Sequence, residues 1–159
     1  MRSSYCHVRR FGDDGGMLEQ TILNTHALRL KPGDDLRLAL ETAFSGLMAA
    51  QGVQAACVIS AVGSLSRARL RYVGQADGAP LTGDMELLTL SGTFSPAGAH
   101  LHASVADAQG RVLGGHVLPG CTVRTTAEVV LALLPDWQFS REPDAQTGFK
   151  ELVIQRRAR

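Results

Sequence analysis

Apolar residues recur every three or four positions between residues 35 and 50, which is the spacing of one face of an α-helix. This apolar face consists of Leu36, Leu40, Phe44, Leu47 and Met48. A Lys-Pro-Gly-Asp turn precedes the segment, so that Asp34 or Asp35 can cap its first turn, and Gly52 follows its end. The pattern predicts one main amphipathic helix.

Most of the remaining chain has the patterns of β-strands. Residues 55–62 are almost continuously apolar and β-branched, as expected of a strand that is covered on both faces. Further strands are predicted at residues 26–30, 66–73, 84–94, 99–107, 111–118, 122–134, 137–141 and 149–154. The turn at residues 108–110 is too short for a crossover helix and favours antiparallel hairpins. The predicted fold class is α+β, with a mixed, largely antiparallel β-sheet packed on one main α-helix.

Three arginines, Arg67, Arg69 and Arg71, alternate with apolar residues in the predicted strand at residues 66–73. Side chains two positions apart lie on the same face of a strand, so the three guanidinium groups share one face. That face is a candidate nucleic-acid-binding surface, or a contact for an anionic substrate, because guanidinium groups pair with phosphate and carboxylate oxygens. The alternative is a face that is solvated or paired with carboxylates of the same chain.

The composition fits one domain. A chain of 159 residues, 45% of them hydrophobic, can close a core without disulfides or an obligatory metal. We expect a domain at residues 21–155, preceded by a flexible arm at residues 1–20 and followed by a short basic tail at residues 156–159. The net charge of +1 gives no field that would by itself indicate nucleic-acid binding.

The cysteines and the hydropathy pattern bear on location. Cys6, Cys57 and Cys121 are odd in number and form no Cys-x-x-Cys pair, which favours reduced thiols over a secreted disulfide framework. No window reaches the roughly 18 apolar residues of a membrane helix, and residues 1–20 lack the apolar run of a signal peptide. These features predict a soluble, cytoplasmic protein with no membrane partner.

Three segments resemble those of one known family. Residues 83–94, Gly-Asp-Met-Glu-Leu-Leu-Thr-Leu-Ser-Gly-Thr-Phe, look like its signature strand, with the glutamate kept as Glu86. Residues 61–71 are similar to the segment that follows its central strand, and residues 107–116 resemble its hairpin. On these segments the chain is identified as a member of the PPC family (the plants-and-prokaryotes conserved domain), of the stand-alone bacterial type, with the resemblance covering roughly residues 27–154.

The resemblance implies a mixed sheet packed on one helix and assembly as a homotrimer. It also implies membership of a superfamily that contains acetolactate decarboxylase, a zinc lyase. In plant relatives an Arg-Gly-Arg-Pro AT-hook beside the domain grips the minor groove of DNA, and this sequence contains no such run. Direct contact with DNA would therefore depend on other residues.

Three of the five histidines have the spacing of a metal site. His100 and His102 lie two positions apart in a predicted strand, so both imidazoles project from one face, and the turn at residues 108–110 brings His116 roughly opposite them. Three neutral imidazoles with an open position are the ligand set of a catalytic-type zinc site, similar to that of the decarboxylase, and nickel, copper or iron accept the same ligands. The predicted cofactor is a divalent metal, zinc first. Alternatively, these histidines are ordinary polar residues on the solvent side of a hairpin.

Two further residues are candidates for catalysis beside such a metal. Glu86 is a candidate general base, or an acceptor that orients a ligand imidazole, if its strand is adjacent. Arg124 follows the hairpin of His116 and is a candidate to hold a carboxylate of a ligand. The alternative for Arg124 is a structural ion pair.

Two functions from different classes follow. By resemblance, the chain is a homotrimeric, DNA-associated or regulatory protein that carries a three-histidine metal site. The alternative is a metal-dependent enzyme or sensor for a small anionic carbonyl compound, in which the metal polarises a carbonyl group or activates water. The expected partners are accordingly further copies of the chain, DNA, or a small anionic ligand.

Overall fold

The computed structural model describes residues 23–158, so the predicted arm at residues 1–20 and the last residue, Arg159, lie outside the described part of the chain. The elements are β1 (Asn24–Leu30), α1 (Leu36–Gln51), β2 (Ala56–Arg71), β3 (Ala79–Ser95), β4 (Gly98–Asp107), β5 (Val112–Val117), β6 (Thr122–Leu133), β7 (Trp137–Pro143) and β8 (Lys150–Arg156). No helix within residues 23–158 is long and apolar enough to cross a membrane.

Six strands form one sheet in the order β1-β6-β2-β3-β4-β5, and all neighbouring strands are antiparallel. The end of β2 also pairs with β5, with Leu70 opposite Val117 and Arg71 opposite His116. Because of this additional pairing, β2, β3, β4 and β5 close into a ring. The largely antiparallel sheet with its single described helix confirms the predicted α+β class.

The helix begins and ends where its sequence pattern indicates. Asp35 is the N-cap, because its side chain accepts a hydrogen bond from the backbone N–H of Leu38 at 3.0 Å. Gly52 ends α1 in the left-handed conformation, with φ of 66°. The other carboxylate oxygen of Asp35 accepts from the N–H of Gly120 at 2.5 Å, which attaches the start of α1 to the turn between β5 and β6.

Strand β2 differs from its prediction. The sequence pattern predicts separate strands at residues 55–62 and 66–73, whereas the structure has one strand, Ala56–Arg71. Its pairing with β6 shifts register between Val58 and Ser60 and twice more between Gly63 and Arg67. Each inserted residue reverses which side chains face the core. The change of apolar pattern that suggested two strands is the effect of these bulges within one strand.

The core lies between α1 and the inner face of the sheet. Its largest fully buried side chains are Phe94, Leu36, Leu40, Leu65, Leu70, Leu101, Leu131, Val53, Val105, Val117, Val123 and Val129. The rings of Phe44 from α1 and Phe94 from β3 lie 5.5 Å apart at their centroids. Burial of this apolar surface is the main stabilising contribution, and it fixes which side chains of β4 and β5 face outward.

Strands β7 and β8 form a second, two-stranded sheet whose Phe139 is buried against the domain. Arg156, predicted to begin the basic tail, is the last residue of β8, and its guanidinium lies 5.5 Å from the centre of the Trp137 ring. Arg157 donates to the carbonyl oxygen of Gly52 at 2.7 Å. The start of the basic tail is thereby attached to the domain.

Candidate metal centre

His100 and His102 lie on β4 and His116 lies on β5, directly opposite His102. Leu101 between the first two is fully buried, so the histidines project from the opposite, outward face of β4. Two strand pairings position His116, because it lies opposite His102 on β4 and also opposite Arg71 where β2 meets β5. The structure brings together the three histidines that the sequence singled out.

The three imidazoles face one another at short distances. Their ring centroids are 5.1, 5.0 and 5.4 Å apart, and one nitrogen from each ring lies within 4.8 Å of one nitrogen from each of the others. The Nε2 atoms of His100 and His102 are 3.2 Å apart. Nitrogens bound to a tetrahedral zinc ion are about 3.3 Å from one another. The Nε2 atoms of His100 and His102 already have this separation, and one nitrogen of His116 lies within 4.8 Å of a nitrogen of each of them.

Gly92 on β3 lets β3 and β4 approach closely beside His100. It lies opposite Leu101 with φ of 142°, in the region that favours glycine. A Cβ atom at this position would overlap the carbonyl oxygen of His100. The glycine of the Leu-Ser-Gly run at residues 90–92 therefore has a packing role at the histidine cluster.

Arg37 of α1 joins the helix to both strands that carry the histidines. Its guanidinium donates to the carbonyl oxygens of Val117 at 2.7 Å and Ala99 at 2.8 Å, each next to a histidine in the sequence. Glu41 accepts from Arg37 at 3.0 Å and from the backbone N–H of Ala99 at 3.1 Å. Nη1 of Arg37 also lies 3.5 Å from Nε2 of His116. Arg37 is thus a positioning residue for the cluster.

The β7–β8 hairpin brings a second arginine to the cluster. Nη2 of Arg141 lies 2.5 Å from Nδ1 of His100, and Nη1 donates to the carbonyl oxygen of Lys150 at 3.3 Å. An open, shallow depression of about 290 Å³ lies beside this contact. It is lined by Ser91, Gly92, Thr93, His100, His102, Arg141, Glu151 and Leu152. The cluster is therefore bordered by hydroxyl groups, a guanidinium, a carboxylate and an apolar side chain.

Burial and positive neighbours favour the neutral form of two of the imidazoles. Burial of the ring, followed by the charges of His100, Arg71 and Arg37, lowers the pKa of His116 to about 4. Burial and then the charge of Arg141 also lower the pKa of His100. Neutral imidazole is the form that binds metal ions, so these two rings are in the binding form at neutral pH.

The donor atoms fit a metal ion. Nδ1 of His116 is buried and has no hydrogen-bond partner among residues 23–158. A buried polar atom without a partner costs free energy, and coordination to an ion is one way to remove that cost. Three imidazoles form a donor set that suits zinc and the neighbouring transition metals. His100, His102 and His116 are thus the residues of the described chain that would hold such an ion.

The structure does not bring the two catalytic candidates to the histidines. Glu86 is exposed on β3, five positions from Ser91, which is the residue opposite His102. At the rise of a β-strand, five positions correspond to about 17 Å. Arg124 on β6 forms an ion pair with Asp84 at 2.7 Å, which is the structural alternative considered for it. Within this one chain, neither residue borders the cluster.

The three arginines of β2 alternate with buried residues, as predicted, but they have different surroundings. Arg67 is exposed, whereas Arg69 pairs with Asp77 at 2.5 Å. Arg71 is half-buried opposite His116, where its charge contributes to the low pKa of that ring. The basic face considered for nucleic acid is therefore divided, with one charge paired and one at the histidine cluster.

Sequence reasoning missed Arg37, Arg141 and Glu151. Arg37 is separated from His116 by 79 positions and Arg141 from His100 by 41, so no local pattern connects them. The available signal for Arg37 was its spacing of four from Glu41 on a predicted helix, which is typical of an ion pair. No comparable signal exists for Arg141 or Glu151.

Comparison with known proteins places the chain among relatives of several kinds. The sequence model of the Plants and Prokaryotes Conserved (PCC) domain matches residues 17–135. The "Bifunctional protein GlmU" of Synechococcus sp. (strain JA-2-3B'a(2-13)) is 50% identical over 133 residues, which cover 84% of this chain and 20% of that protein. "AT-hook motif nuclear-localized protein 26" of Arabidopsis thaliana is 29% identical over 128 residues, which cover 76% of this chain and 36% of that protein. The chain thus spans only a fifth and about a third of these two relatives.

Two solved structures are similar over most of the chain. A protein from Salmonella cholerae-suis has a TM-score of 0.80 and 42% identity, covering 85% of this chain and 95% of that one. The metal-containing protein AF0104 from Archaeoglobus fulgidus has a TM-score of 0.66 and 27% identity, covering 87% of this chain and 99% of that one. Both similarities agree with the fold described above.

Proposed function

Because the chain belongs to the family of the Plants and Prokaryotes Conserved (PCC) domain, we propose that it is a metal-dependent member of this family. Its function depends on one divalent ion, zinc as first choice, bound by His100, His102 and His116. The observation that carries the proposal is the convergence of three imidazoles on the outward face of β4 and β5. A relative 27% identical to the chain, from Archaeoglobus fulgidus, is described as metal-containing, which supports it.

Three protein ligands leave a position open for a small molecule. An ion bound there would supply a Lewis acid for a carbonyl or carboxylate group, or for water. The residues of the chain determine what can approach: Ser91 and Thr93 offer hydroxyl groups, and Arg141 offers a positive charge. These groups suit a small anionic carbonyl compound, so the proposed activity is that of an enzyme or a sensor for this class of ligand.

The GlmU relative is compatible with this proposal. It contains a segment that is 50% identical to this chain and that makes up a fifth of its length. A domain that binds a metal and a small molecule can be joined to a larger protein without any role at DNA. Most of the length of that relative lies outside the shared segment, so its activity as a whole protein is not assigned to this chain.

Metal analysis of the purified full-length chain tests the proposal. After zinc is supplied and unbound zinc is removed, we expect about one ion per chain. His102→Gln should lose the ion, whereas His26→Gln, which changes a histidine on β1 outside the cluster, should retain it. A wild-type chain that stays metal-free would overturn the proposal, and an ion retained by His102→Gln would mean that these histidines are not the site.

Association with DNA is a second candidate, favoured by the Arabidopsis relative and by the exposed Arg67. That relative is named for an AT-hook, whereas this sequence has no Arg-Gly-Arg-Pro run, so binding would depend on Arg67 and on the exposed Arg156. Affinity carried by phosphate contacts falls steeply as salt is added. An electrophoretic titration without any shift at low salt would exclude this candidate.

Assembly and location complete the proposal. The family resemblance implies a homotrimer, in which three metal sites and three copies of Arg67 would be combined.

A reducing, cytoplasmic location is supported by Cys57 and Cys121, which are both free thiols. Cys121 is buried, and burial raises the pKa of its thiol, which favours a structural role over a nucleophilic one.

A further inference from the structure

Arg141 is a half-buried arginine whose charge has no carboxylate partner among residues 23–158. Glu151 lines the same depression but forms no ion pair with it. The guanidinium is held instead by two neutral acceptors, Nδ1 of His100 at 2.5 Å and the carbonyl oxygen of Lys150 at 3.3 Å. A guanidinium in this position is available to pair with an anion.

The hydrogen bond from Arg141 and metal coordination by His100 exclude each other. A neutral imidazole has one N–H donor and one acceptor nitrogen. If Nδ1 of His100 accepts from Arg141, Nε2 carries the hydrogen, in agreement with its 3.2 Å contact to Nε2 of His102, and has no lone pair for an ion. If the ion binds Nδ1, it uses the lone pair that accepts the hydrogen bond from Arg141. Whichever nitrogen binds the ion, Arg141 must leave His100.

The released guanidinium lies next to the depression between β4 and the β7–β8 hairpin. A divalent ion at the histidines repels this guanidinium unless an anion lies between the two charges. Ser91 and Thr93, opposite His102 and His100 on β3, add hydroxyl donors to the same depression. A carboxylate matches this arrangement, because its two oxygens can pair with a guanidinium while one of them also faces the ion.

We propose that Arg141 is the anion-binding residue of the site and that it couples the metal to its ligand. Without metal, Arg141 donates a hydrogen bond to Nδ1 of His100, and with metal it binds a small carboxylate beside the ion. Metal and carboxylate then bind cooperatively, each raising the affinity of the other by the same factor. The inference rests on the proposed metal site; it narrows the ligand to a carboxylate and assigns to Arg141 both its recognition and its coupling to the metal. Arg141 lies outside residues 17–135, the segment of the chain that the sequence model of the family matches.

The test is the zinc affinity of the full-length chain, measured by competition with a chromophoric chelator at constant ionic strength, with and without acetate as the carboxylate probe. In the wild type we expect acetate to raise the zinc affinity several-fold. In Arg141→Gln we expect the affinity without acetate to rise about tenfold, because no guanidinium competes for His100, and the effect of acetate to disappear. Arg124→Gln is the matched control, since Arg124 pairs with Asp84 away from the cluster, and it should behave as the wild type.

The outcomes separate this inference from the proposed metal site. Zinc affinity in Arg141→Gln equal to or below that of the wild type, or an acetate effect that persists in it, would overturn the inference and leave the metal site standing. A wild-type chain that binds no zinc would overturn both. If circular dichroism shows that Arg141→Gln does not fold, Arg141→Lys takes its place. It keeps the charge without the two-pronged geometry, so the acetate effect should be smaller than in the wild type, and an unchanged effect would count against the proposal.

Discussion

His116 has the most constrained environment of the three histidines. It lies opposite His102 on one side and opposite Arg71 on the other, while Arg37 approaches its Nε2 at 3.5 Å. The ring is half-buried, and the charged or ionisable groups around it that act on its pKa are imidazoles and guanidinium groups rather than carboxylates. Protonation is therefore unfavourable in the folded chain, which keeps the ring in its metal-binding form.

The stability of the metal-free chain should consequently fall in acid. The pKa of His116 is about 4 in the folded chain, below the ordinary 6.5 of the unfolded chain. Between these values the unfolded chain binds more protons, so the free energy of unfolding decreases as the pH falls through 6.5 towards 4. We expect His116 to contribute a loss of about 1 kcal/mol between pH 7.5 and pH 5, a value reduced for the solvent that reaches part of the ring.

Urea denaturation with a chelator present measures this contribution. His116→Gln should lose stability less steeply than the wild type as the pH is lowered, whereas His26→Gln should follow the wild type. The same pH dependence in His116→Gln and in the wild type would contradict the expectation.

At the scale of elements, three separate segments meet at the cluster. The β4–β5 hairpin carries the histidines, α1 brings Arg37, and the β7–β8 hairpin brings Arg141. Gly92 on β3 and Gly115 on β5 allow close contact with the backbones of β4 and β2, respectively. A Cβ atom at Gly92 would overlap the carbonyl oxygen of His100, and one at Gly115 would lie 2.8 Å from the carbonyl oxygen of Arg71. The absence of side chains at these positions permits β3 to approach β4, and β2 to approach β5, beside the cluster.

Gly92→Ala should therefore destabilise the chain and weaken its metal binding. We expect a loss of about 2 kcal/mol or more, because the added methyl group meets backbone and the φ of 142° is unfavourable for alanine. Gly46→Ala in α1 is the matched control, since no atom lies within 4 Å of its added Cβ, and it should stabilise the chain by about 0.5–1 kcal/mol. Denaturant titration and zinc titration measure both effects. Wild-type stability in Gly92→Ala would contradict the close approach of β3 and β4.

At the scale of the whole molecule, part of the outer surface of the sheet is apolar. Ile59 and Val62 on β2 are 49% and 54% exposed, and Leu88 on β3 is 45% exposed. The net charge of the chain is only +1, so charge repulsion between copies is weak. Removing such large apolar side chains from water would stabilise an assembly of chains. These exposed side chains support the proposed homotrimer.

Light scattering of the purified chain should accordingly give the mass of three chains. Val62→Glu places a charge in the apolar surface and should shift the mass towards that of one chain. Leu38→Glu is the matched control, because Leu38 is also 49% exposed but lies on α1, and it should keep the wild-type mass. A wild-type mass of one chain would rule out the trimer in solution.

Much of the fold and the proximity of the three histidines could be predicted because both depend on local periods. The helical spacing of apolar residues, the cap at Asp35 and the end at Gly52 all act within a few positions. The two-residue period of β4 and the short turn after it likewise place His116 opposite His102. The prediction of two separate strands within β2 was wrong, because bulges change the apolar pattern without ending the strand.

The sequence by itself thus determined the fold class and the histidine hairpin, because contacts between near neighbours follow from periodicity. Only the tertiary structure decided which other groups border the histidines. Glu86 and Arg124 have suitable chemistry but lie elsewhere, whereas Arg37 and Arg141 reach the histidines through the packing of α1 and the β7–β8 hairpin. Such contacts join residues 41 and 79 positions apart, and they depend on how whole elements pack rather than on any local pattern.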